Sequence, residues 1–197
     1  MNVAFFDLDG TITCKDTLLR FIRFSKGNLN FYIGFILLMP VLISYRIGFI
    51  PNWRAKELFF SYFFKGMKAD ELSVMGNEFA KSILPDILRP EAIRELEIHK
   101  KEATKIVIVT ASSPIWTKSW CDLHRFDLIA TDFEINEGRY TGLIKGANCF
   151  GQEKVRRIKE RFDLSVFDQV YAYGDSSSDR AMLDLADVKF MKWKRIN

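Results

Sequence analysis

The stretch VAFFDLDGT, residues 3–11, joins a short apolar run to two aspartates and a glycine. The run VAFFDL is typical of a buried strand, and Asp9-Gly10 predicts a turn where this strand ends. Ligands of open α/β sheets bind beyond the carboxyl ends of strands, where Asp7 and Asp9 would share one side. Two carboxylates so close repel each other, which predicts a divalent cation or a shared proton beside them. Taken alone, the motif is equally well explained by an aspartate-glycine turn that merely ends a strand.

Strand and helix patterns alternate at both ends of the chain. The further strand patterns are KIVIVTAS (105–112), DLIAT (127–131), DQVYAYGD (168–175) and DVKFM (187–191), and DFEINEGRYTG (132–142) predicts a hairpin. This alternation predicts an α/β fold, a doubly wound parallel sheet. The middle of the chain has helical spacing only. We therefore predict a core formed by residues 1–13 and 86–197, with an all-helical cap, residues 14–85, inserted after the first strand.

Composition excludes several classes of protein. The 197 residues are 48% hydrophobic and 27% charged, which is ordinary for a globular chain. The net charge of +4 is too weak to indicate a nucleic-acid partner. The three cysteines have no metal-binding spacing and no signal peptide precedes the first strand, so we expect a cytoplasmic protein. The two histidines, His99 and His124, are expected at the surface or at helix ends.

The segment GDSSSD, residues 174–179, again places aspartates at a strand end. Asp175 or the serines could simply cap the following helix. A second strand end with paired aspartates is nevertheless harder to explain by capping alone. Clusters that offer only oxygen ligands suit Mg²⁺, which prefers carboxylates, water and substrate phosphate.

Two further positions favour an anionic ligand. Thr110-Ala111-Ser112 ends the strand pattern KIVIVT, and hydroxyls and backbone N–H groups before a helix can bind an anion. Lys154 lies at the start of a predicted helix, where a cation is unfavourable unless an anion is bound nearby. Together with the aspartates, these residues are what phosphoryl transfer through an aspartyl-phosphate needs.

The chain resembles the haloacid dehalogenase (HAD) superfamily of phosphohydrolases. Four motifs appear in the order of that superfamily: FDLDGT (6–11), VTAS (109–112), Lys154 and GDSSSD (174–179). The stretches TASSPIWTKSW, IATDFEINEGRYTG and GQEK are similar to the subfamily that contains phosphoserine phosphatase. That subfamily carries a small helical cap after its first motif.

The resemblance implies a role for each matching residue. Asp7 would be the nucleophile, and Asp9 the general acid and base, with its backbone carbonyl as a metal ligand. Thr110 and Lys154 would hold the phosphoryl group, with Ser112 beside them in the position of a substrate-binding residue. Asp7, Asp9, Asp175 and Asp179 would form the Mg²⁺ site. Asp16 replaces a glutamate that contacts substrate in phosphoserine phosphatases, Thr110-Ala111-Ser112 replaces their Ser-Gly-Gly, and Arg54 is a candidate cap contact to an anionic substrate.

The stretch FYIGFILLMPVLISY, residues 31–45, has no charged residue and raises the question of a membrane span. A single crossing here would leave Asp7 and Lys154 on opposite sides of the membrane, so the site could not assemble. We therefore predict no membrane span, and a helix broken near Pro40. Most of the stretch would pack within the chain, against residues 58–64. A peripheral lipid contact through 31–50 and a contact with a second subunit are the alternatives, and the oligomeric state is left open.

The predicted function is Mg²⁺-dependent hydrolysis of a phosphomonoester through an aspartyl-phosphate. The substrate would be a small phosphorylated metabolite or a lipid headgroup. A phosphotransferase would use the same residues. A membrane-associated protein with a vestigial site is a third reading. Nothing structural requires the six motif residues together, which argues against it; these residues are Asp7, Asp9, Thr110, Lys154, Asp175 and Asp179. A receiver domain also has aspartates at strand ends, but it needs no helical insert.

Overall fold

A computed structural model describes residues 1–197, and a six-stranded sheet lies at its centre. The strands are β1 (Val3–Phe6), β2 (Lys105–Val109), β3 (Asp127–Ile129), β6 (Val170–Gly174), β7 (Val188–Met191) and β8 (Lys194–Ile196). They follow the order β3-β2-β1-β6-β7-β8, and all neighbours are parallel except β7 and β8. A separate hairpin consists of β4 (Phe133–Asn136) and β5 (Arg139–Ile144). The predicted α/β fold class is confirmed.

Successive residues of β1 contribute to two different cores. Ala4 and Phe6 belong to a large hydrophobic cluster on one face of the sheet, while Val3 and Phe5 belong to a smaller cluster on the other. A strand places alternate side chains on opposite faces, so an uninterrupted apolar run is what a strand buried on both faces requires. Because β1 has β2 and β6 as neighbours, the residues that follow Phe6 emerge at the middle of the sheet edge.

Helices flank the sheet and fill the segment between β1 and β2. They are α1 (Thr17–Leu37), α2 (Met39–Arg46), α3 (Asn52–Phe64), α4 (Ala69–Ser82), α5 (Pro90–Lys101), α6 (Pro114–His124), α7 (Gln152–Arg161) and α8 (Arg180–Leu183). The first four occupy the predicted insert. The division of the chain at residues 14 and 85 stays a prediction, because the large hydrophobic cluster runs without interruption from α1, α3 and α4 to β1, α6 and the hairpin.

The apolar segment after residue 26 is bent at two places. Gly27 interrupts α1 with a positive φ of 77°, and α2 begins with Met39-Pro40 at 53° to α1. Proline is favoured in the first turn of a helix and cannot continue a preceding one, which explains the predicted break near Pro40. No single helix is long and apolar enough to cross a membrane, although α1 and α2 together have the length and composition.

His99 lies in the last turn of α5, a helix end as expected, and it is buried there, with its Nε2 2.9 Å from the hydroxyl of Tyr173. One sequence expectation differs from the structure, since the apolar segment packs less completely than expected. Gly34 is buried against Phe63 of α3, but many neighbouring side chains of α1 and α2 remain exposed.

The continuous core predicts that the helical insert and the sheet unfold together. Phe60 is fully buried and stacks on Phe133 of the hairpin, with ring centroids 3.5 Å apart. Phe60→Ala should lower the free energy of unfolding by about 3–5 kcal/mol, because it removes a large buried ring and leaves a cavity. Chemical denaturation followed by circular dichroism and by tryptophan fluorescence should give one shared transition.

The matched control is Val74→Ala on α4, an exposed side chain whose loss should change the free energy of unfolding by less than about 1 kcal/mol. Two separate transitions, only one of which moves in Phe60→Ala, would show that the insert folds on its own.

Candidate active site

The predicted motifs meet in one cavity beyond the carboxyl ends of β1, β2 and β6. Its volume is about 250 Å³. The predicted site residues that line it are Asp7, Asp9, Asp16, Thr110, Ser112, Lys154 and Asp175. Leu18, Asn52, Lys56, Ala111, Phe150, Ser176 and Ser178 complete the wall. Parallel strands bring their carboxyl ends to one edge, which is why motifs far apart in the sequence converge here.

Lys154 forms the centre of a buried charge cluster. Its Nζ donates to Asp7 Oδ1 at 2.5 Å and to Asp179 Oδ1 at 2.8 Å. Both Lys154 and Asp179 are only 1% exposed. Lys154 lines the cavity but Asp179 does not, and Asp179 also accepts from the backbone N–H groups of Asp175 and Ser176. The lysine fixes the position of the carboxylate that the sequence predicts to be the nucleophile.

Burial and charge act in opposite directions on this cluster. Burial raises the pKa of Asp7 to about 7, although Lys154 opposes it. Burial alone would lower the pKa of Lys154, but Asp7 and Asp179 outweigh it, so the pKa of this lysine lies above its ordinary value. Burial and the neighbouring Asp179 raise the pKa of Asp175. The excess of carboxylates over cations leaves negative charge that a divalent cation would neutralise.

The carboxylates of Asp7, Asp175 and Asp179 fit a metal ion. One oxygen from each lies within 4.8 Å of the others. Gly10 allows the loops to approach closely, since a Cβ at this residue would lie 2.4 Å from Asp175 Oδ2. Its φ of +89° also disfavours any residue with a side chain. The donor set consists of oxygen alone, which suits a hard cation such as Mg²⁺.

Asp9 is held by a hydrogen-bond network that the sequence motifs do not predict. Its Oδ1 accepts from the backbone N–H of Thr17 at 2.7 Å, and its Oδ2 accepts from the hydroxyl of Ser112 at 2.5 Å. The hydroxyls of Ser112 and Thr17 lie 2.8 Å apart, and the indole N–H of Trp116 donates to Thr17 Oγ1 at 3.0 Å. The start of α1 and the start of α6 thus orient one carboxylate towards the cavity.

Thr110 and Asp16 have local structural roles beside their positions in the wall. The buried Thr110 hydroxyl accepts from the backbone N–H of Ser112 at 2.9 Å, which shapes the turn before α6. Asp16 is exposed at the rim and caps α1, since its carboxylate accepts from Leu19 N at 2.9 Å. Asp16 therefore caps a helix and lines the cavity at the same time.

The structure does not bring Arg54 to the cavity. Arg54 points along α3 and pairs with Glu57 at 3.1 Å, with its side chain 47% exposed. Lys56, two residues further on, takes the place that Arg54 was expected to fill. Its Nζ donates to the carbonyl of Ala111 at 2.5 Å and to Asn148 Oδ1 at 3.0 Å. The only sequence signal that separates Lys56 from Arg54 is helical phase, because two residues correspond to about 200° of rotation around the helix axis.

Comparison with known proteins places this arrangement in a family. Residues 4–184 match the haloacid dehalogenase-like hydrolases. The chain belongs to this family. Protein CicA of Caulobacter vibrioides is 33% identical over 186 residues, which cover 93% of this chain and 82% of that protein. A protein of Mycobacterium tuberculosis named as a probable phosphatase is 27% identical over 93% of this chain and 66% of its own length.

Solved structures of other proteins have a similar architecture. A Bordetella pertussis protein of unknown function superposes with a TM-score of 0.82 and 25% identity, over 96% of this chain and 89% of that one. A phospho-aspartyl intermediate analogue of phosphoserine phosphatase gives a TM-score of 0.67 at 14% identity, over 98% and 94% of the two chains. The latter likeness is one of fold. The predictions of the superfamily and of a HAD-type phosphatase are confirmed.

The environment of Lys56 predicts a pH effect on the stability of this haloacid dehalogenase-like hydrolase. Burial lowers the pKa of Lys56 from 10.5 to about 8, although Asp9 and Asp16 oppose it. Between pH 8 and pH 10.5, Lys56 has released its proton in the folded chain but still holds it in the unfolded chain. The unfolded state then binds more protons, so the free energy of unfolding rises with pH. Methionine does not titrate, so the Lys56→Met variant lacks this contribution to the pH dependence of stability.

Relative to Lys56→Met, the wild type should become more stable as the pH rises. The difference in free energy of unfolding, variant minus wild type, should fall by about 1–3 kcal/mol between pH 8 and pH 10.5. Urea denaturation in the absence of metal and phosphate measures this difference. Lys118→Met is the control because that lysine lies at the surface. A difference that stays constant over the interval would show that the Lys56 amine is solvated like any other.

Proposed function

We propose that this chain is a Mg²⁺-dependent phosphomonoester hydrolase that works through an aspartyl-phosphate intermediate. The observation that carries the proposal is the pairing of two aspartates with different surroundings in one cavity. Asp7 is buried and bonded to Lys154, whereas Asp9 is held by Thr17 and Ser112. One carboxylate is thus fixed beside a cation, and the other is oriented by neutral donors.

Asp7 is the nucleophile in this scheme. A carboxylate oxygen attacks phosphorus, a bond forms between that oxygen and phosphorus, and the bond from phosphorus to the leaving alcohol breaks. Lys154 holds Asp7 in place and stabilises negative charge on the phosphoryl oxygens. Thr110 and the backbone N–H groups after it lie in the loop that leads from β2 to α6, on the side of the helix N-terminus where an anion is favoured.

Asp9 moves the protons. In the first step it donates a proton to the oxygen of the leaving alcohol. In the second step it takes a proton from water, which attacks phosphorus and releases phosphate from Asp7. Asp9 is protonated again at the end of the cycle and Asp7 is free, so the atoms balance. The hydrogen bond from Ser112 keeps the Asp9 carboxyl directed at the place where both transfers occur.

A magnesium ion would be held by Asp7, Asp175 and Asp179, with Asp9 contributing its backbone carbonyl. When bound, it would neutralise phosphoryl charge and lower the cost of bringing an anion to these carboxylates. The chain's own contribution is the preformed cluster of oxygens and the single buried lysine that limits its repulsion.

The cavity size favours a small phosphorylated group as the part of the substrate that enters. About 250 Å³ accommodates a phosphate and a short polar moiety, either a metabolite or a lipid headgroup. On the cap side of the cavity, Asn52 and Lys56 can contact the leaving group, and Asp16 and Ser112 lie nearby. Arg54 contributes no contact in this scheme because it pairs with Glu57.

The nucleophile assignment predicts the loss of turnover in Asp7→Asn. Phosphate release from p-nitrophenyl phosphate at saturating Mg²⁺ should fall at least about 10³-fold, because an amide does not attack phosphorus. EDTA should abolish turnover of the wild type, and added Mg²⁺ should restore it. Asp70→Asn, a change of the same kind on the exposed side of α4, should match the wild type. Turnover that survives both EDTA and Asp7→Asn would refute the scheme.

The assignment of Asp9 predicts a different defect. Nitrophenolate leaves without a proton, so Asp9→Asn should still form the aspartyl-phosphate from p-nitrophenyl phosphate. Without a base to activate water, steady-state turnover should fall by about 10²–10⁴-fold. Rapid-quench measurement should then show a burst of nitrophenol close to one equivalent, with a matching gain in protein mass. If Asp9→Asn shows steady-state turnover equal to the wild type, Asp9 is not the proton carrier.

A further inference from the structure

Half of the large hydrophobic side chains that the structure leaves exposed lie between residues 29 and 53. The most exposed of them define what we call the apolar cap surface: Leu29, Ile36, Leu37, Ile43, Ile47 and Phe49. Leu29 is 74% exposed, Ile36 68% and Phe49 81%. Contiguous exposed apolar areas of this kind are rare on monomeric proteins unless something covers them.

The exposure of this surface results from how α1 is fixed on α3. Gly34 is buried, and a Cβ at this residue would lie 2.3 Å from Phe63 Cζ. Leu29, Ile33 and Ile36 follow one another at helical spacing on a different side of α1. The helix is therefore already packed on its inner side, and its outer apolar side is left without a partner.

The charge of this part of the chain indicates what the partner is. No acidic residue occurs between Asp16 and Glu57, whereas six basic residues do. Lys56 lies in the phosphoryl cavity and Arg54 pairs with Glu57, so four are left for a partner: Arg20, Arg23, Lys26 and Arg46. The whole chain carries a net charge of only +4. An apolar helical face bordered by basic residues is the pattern that binds the interface of an anionic bilayer.

A second copy of the chain is a less favourable partner. In a two-fold contact the same surface meets itself, so the basic residues of both copies would come together. The segment has no acidic residue to pair with them, and like charges across an interface are repulsive. Anionic lipid supplies the missing negative charge.

A small, largely apolar cleft extends from the active site to α2. Its volume is about 140 Å³, and its apolar wall consists of Leu18, Leu19, Leu42, Tyr45, Ala55 and Phe59. Asp16, Asn52 and Lys56 line both the cleft and the phosphoryl cavity. Leu42 and Tyr45 belong to α2, the helix that also carries Ile43 of the apolar cap surface.

We propose that the apolar cap surface docks on an anionic lipid bilayer and that the substrate is an amphiphilic phosphomonoester, a lipid phosphate. The phosphate reaches Asp7, the polar linker lies beside Asn52 and Lys56, and the apolar chain follows the cleft towards α2. The inference rests on the proposed function for its chemistry. The docking step does not depend on catalysis and is measured without it.

Vesicle sedimentation tests the docking surface. The wild type should bind vesicles of phosphatidylcholine with about 30 mol% phosphatidylglycerol at least about tenfold more tightly than pure phosphatidylcholine vesicles. Raising the salt concentration from about 0.1 M to 0.5 M should weaken this binding. The double variant Ile36→Asp/Phe49→Asp should lose it. The matched control is Leu123→Asp/Val166→Asp, which changes two similarly exposed side chains outside the apolar cap surface. This variant should bind vesicles as the wild type does. Thermal unfolding midpoints serve as the control for folding.

Activity measurements test the substrate class. Phosphate release from phosphatidic acid in these vesicles should exceed release from glycerol 3-phosphate, which has the same headgroup without chains, by at least about tenfold in kcat/KM. The ratio of kcat/KM for phosphatidic acid to kcat/KM for glycerol 3-phosphate should fall in Ile36→Asp/Phe49→Asp. The same ratio should stay unchanged in Leu123→Asp/Val166→Asp.

The outcomes separate this inference from the proposed function. Hydrolysis of soluble esters that requires Asp7, without vesicle binding, would overturn the lipid inference and leave the phosphatase intact. Vesicle binding without hydrolysis of any phosphomonoester would overturn the phosphatase and the substrate class, and leave only docking. A lipid-free dimer that Ile36→Asp/Phe49→Asp converts to a monomer would show that a second copy covers the surface, which overturns docking.

Discussion

The buried ammonium of Lys154 between Asp7 and Asp179 is the interaction on which the rest of the site depends. It joins α7 to the ends of β1 and β6. A lysine buried without partners would be prohibitively costly, and so would two buried carboxylates without a cation. Each member is therefore tolerated only because the others are present. The fold positions the cluster, and the cluster in turn requires α7 to lie against the sheet edge.

The parts of the fold that follow from local pattern were predictable from the sequence. Continuous apolar runs such as residues 106–109 form strands with both faces buried, and the turn at Glu137-Gly138 closes the predicted hairpin. Strand β8 was not predicted. Its turn consists of Lys192 and Trp193, both with positive φ, where glycine or asparagine would be the usual signal. Tertiary packing overrides local preference at this edge of the sheet.

The candidate site was predictable to the extent that it lies at strand ends. Asp7, Asp9, Thr110 and Asp175 reach the cavity from strand ends, and Lys154 reaches it from the first turn of α7, so their motifs sufficed. Contacts from the helical insert depend on helical rotation, which apolar spacing determines only loosely. For this reason the sequence pattern indicated Arg54, whereas Lys56 is the residue that faces the cavity. The same limit applies to residues 31–45, because a pattern of apolar residues does not distinguish a side that packs on α3 from one that is exposed.

The continuity of the large hydrophobic core also limits how substrate enters. Phe21, Phe60 and Phe79 of the insert share that core with Leu8 and Trp116. Swinging the insert away from the sheet would expose these rings to water, at a cost of roughly 1.5–3 kcal/mol for each large side chain. Wide opening between turnovers is therefore disfavoured. A substrate that enters without such an opening is selected by how well it fits the existing cavity wall, and not by closure of the insert around it.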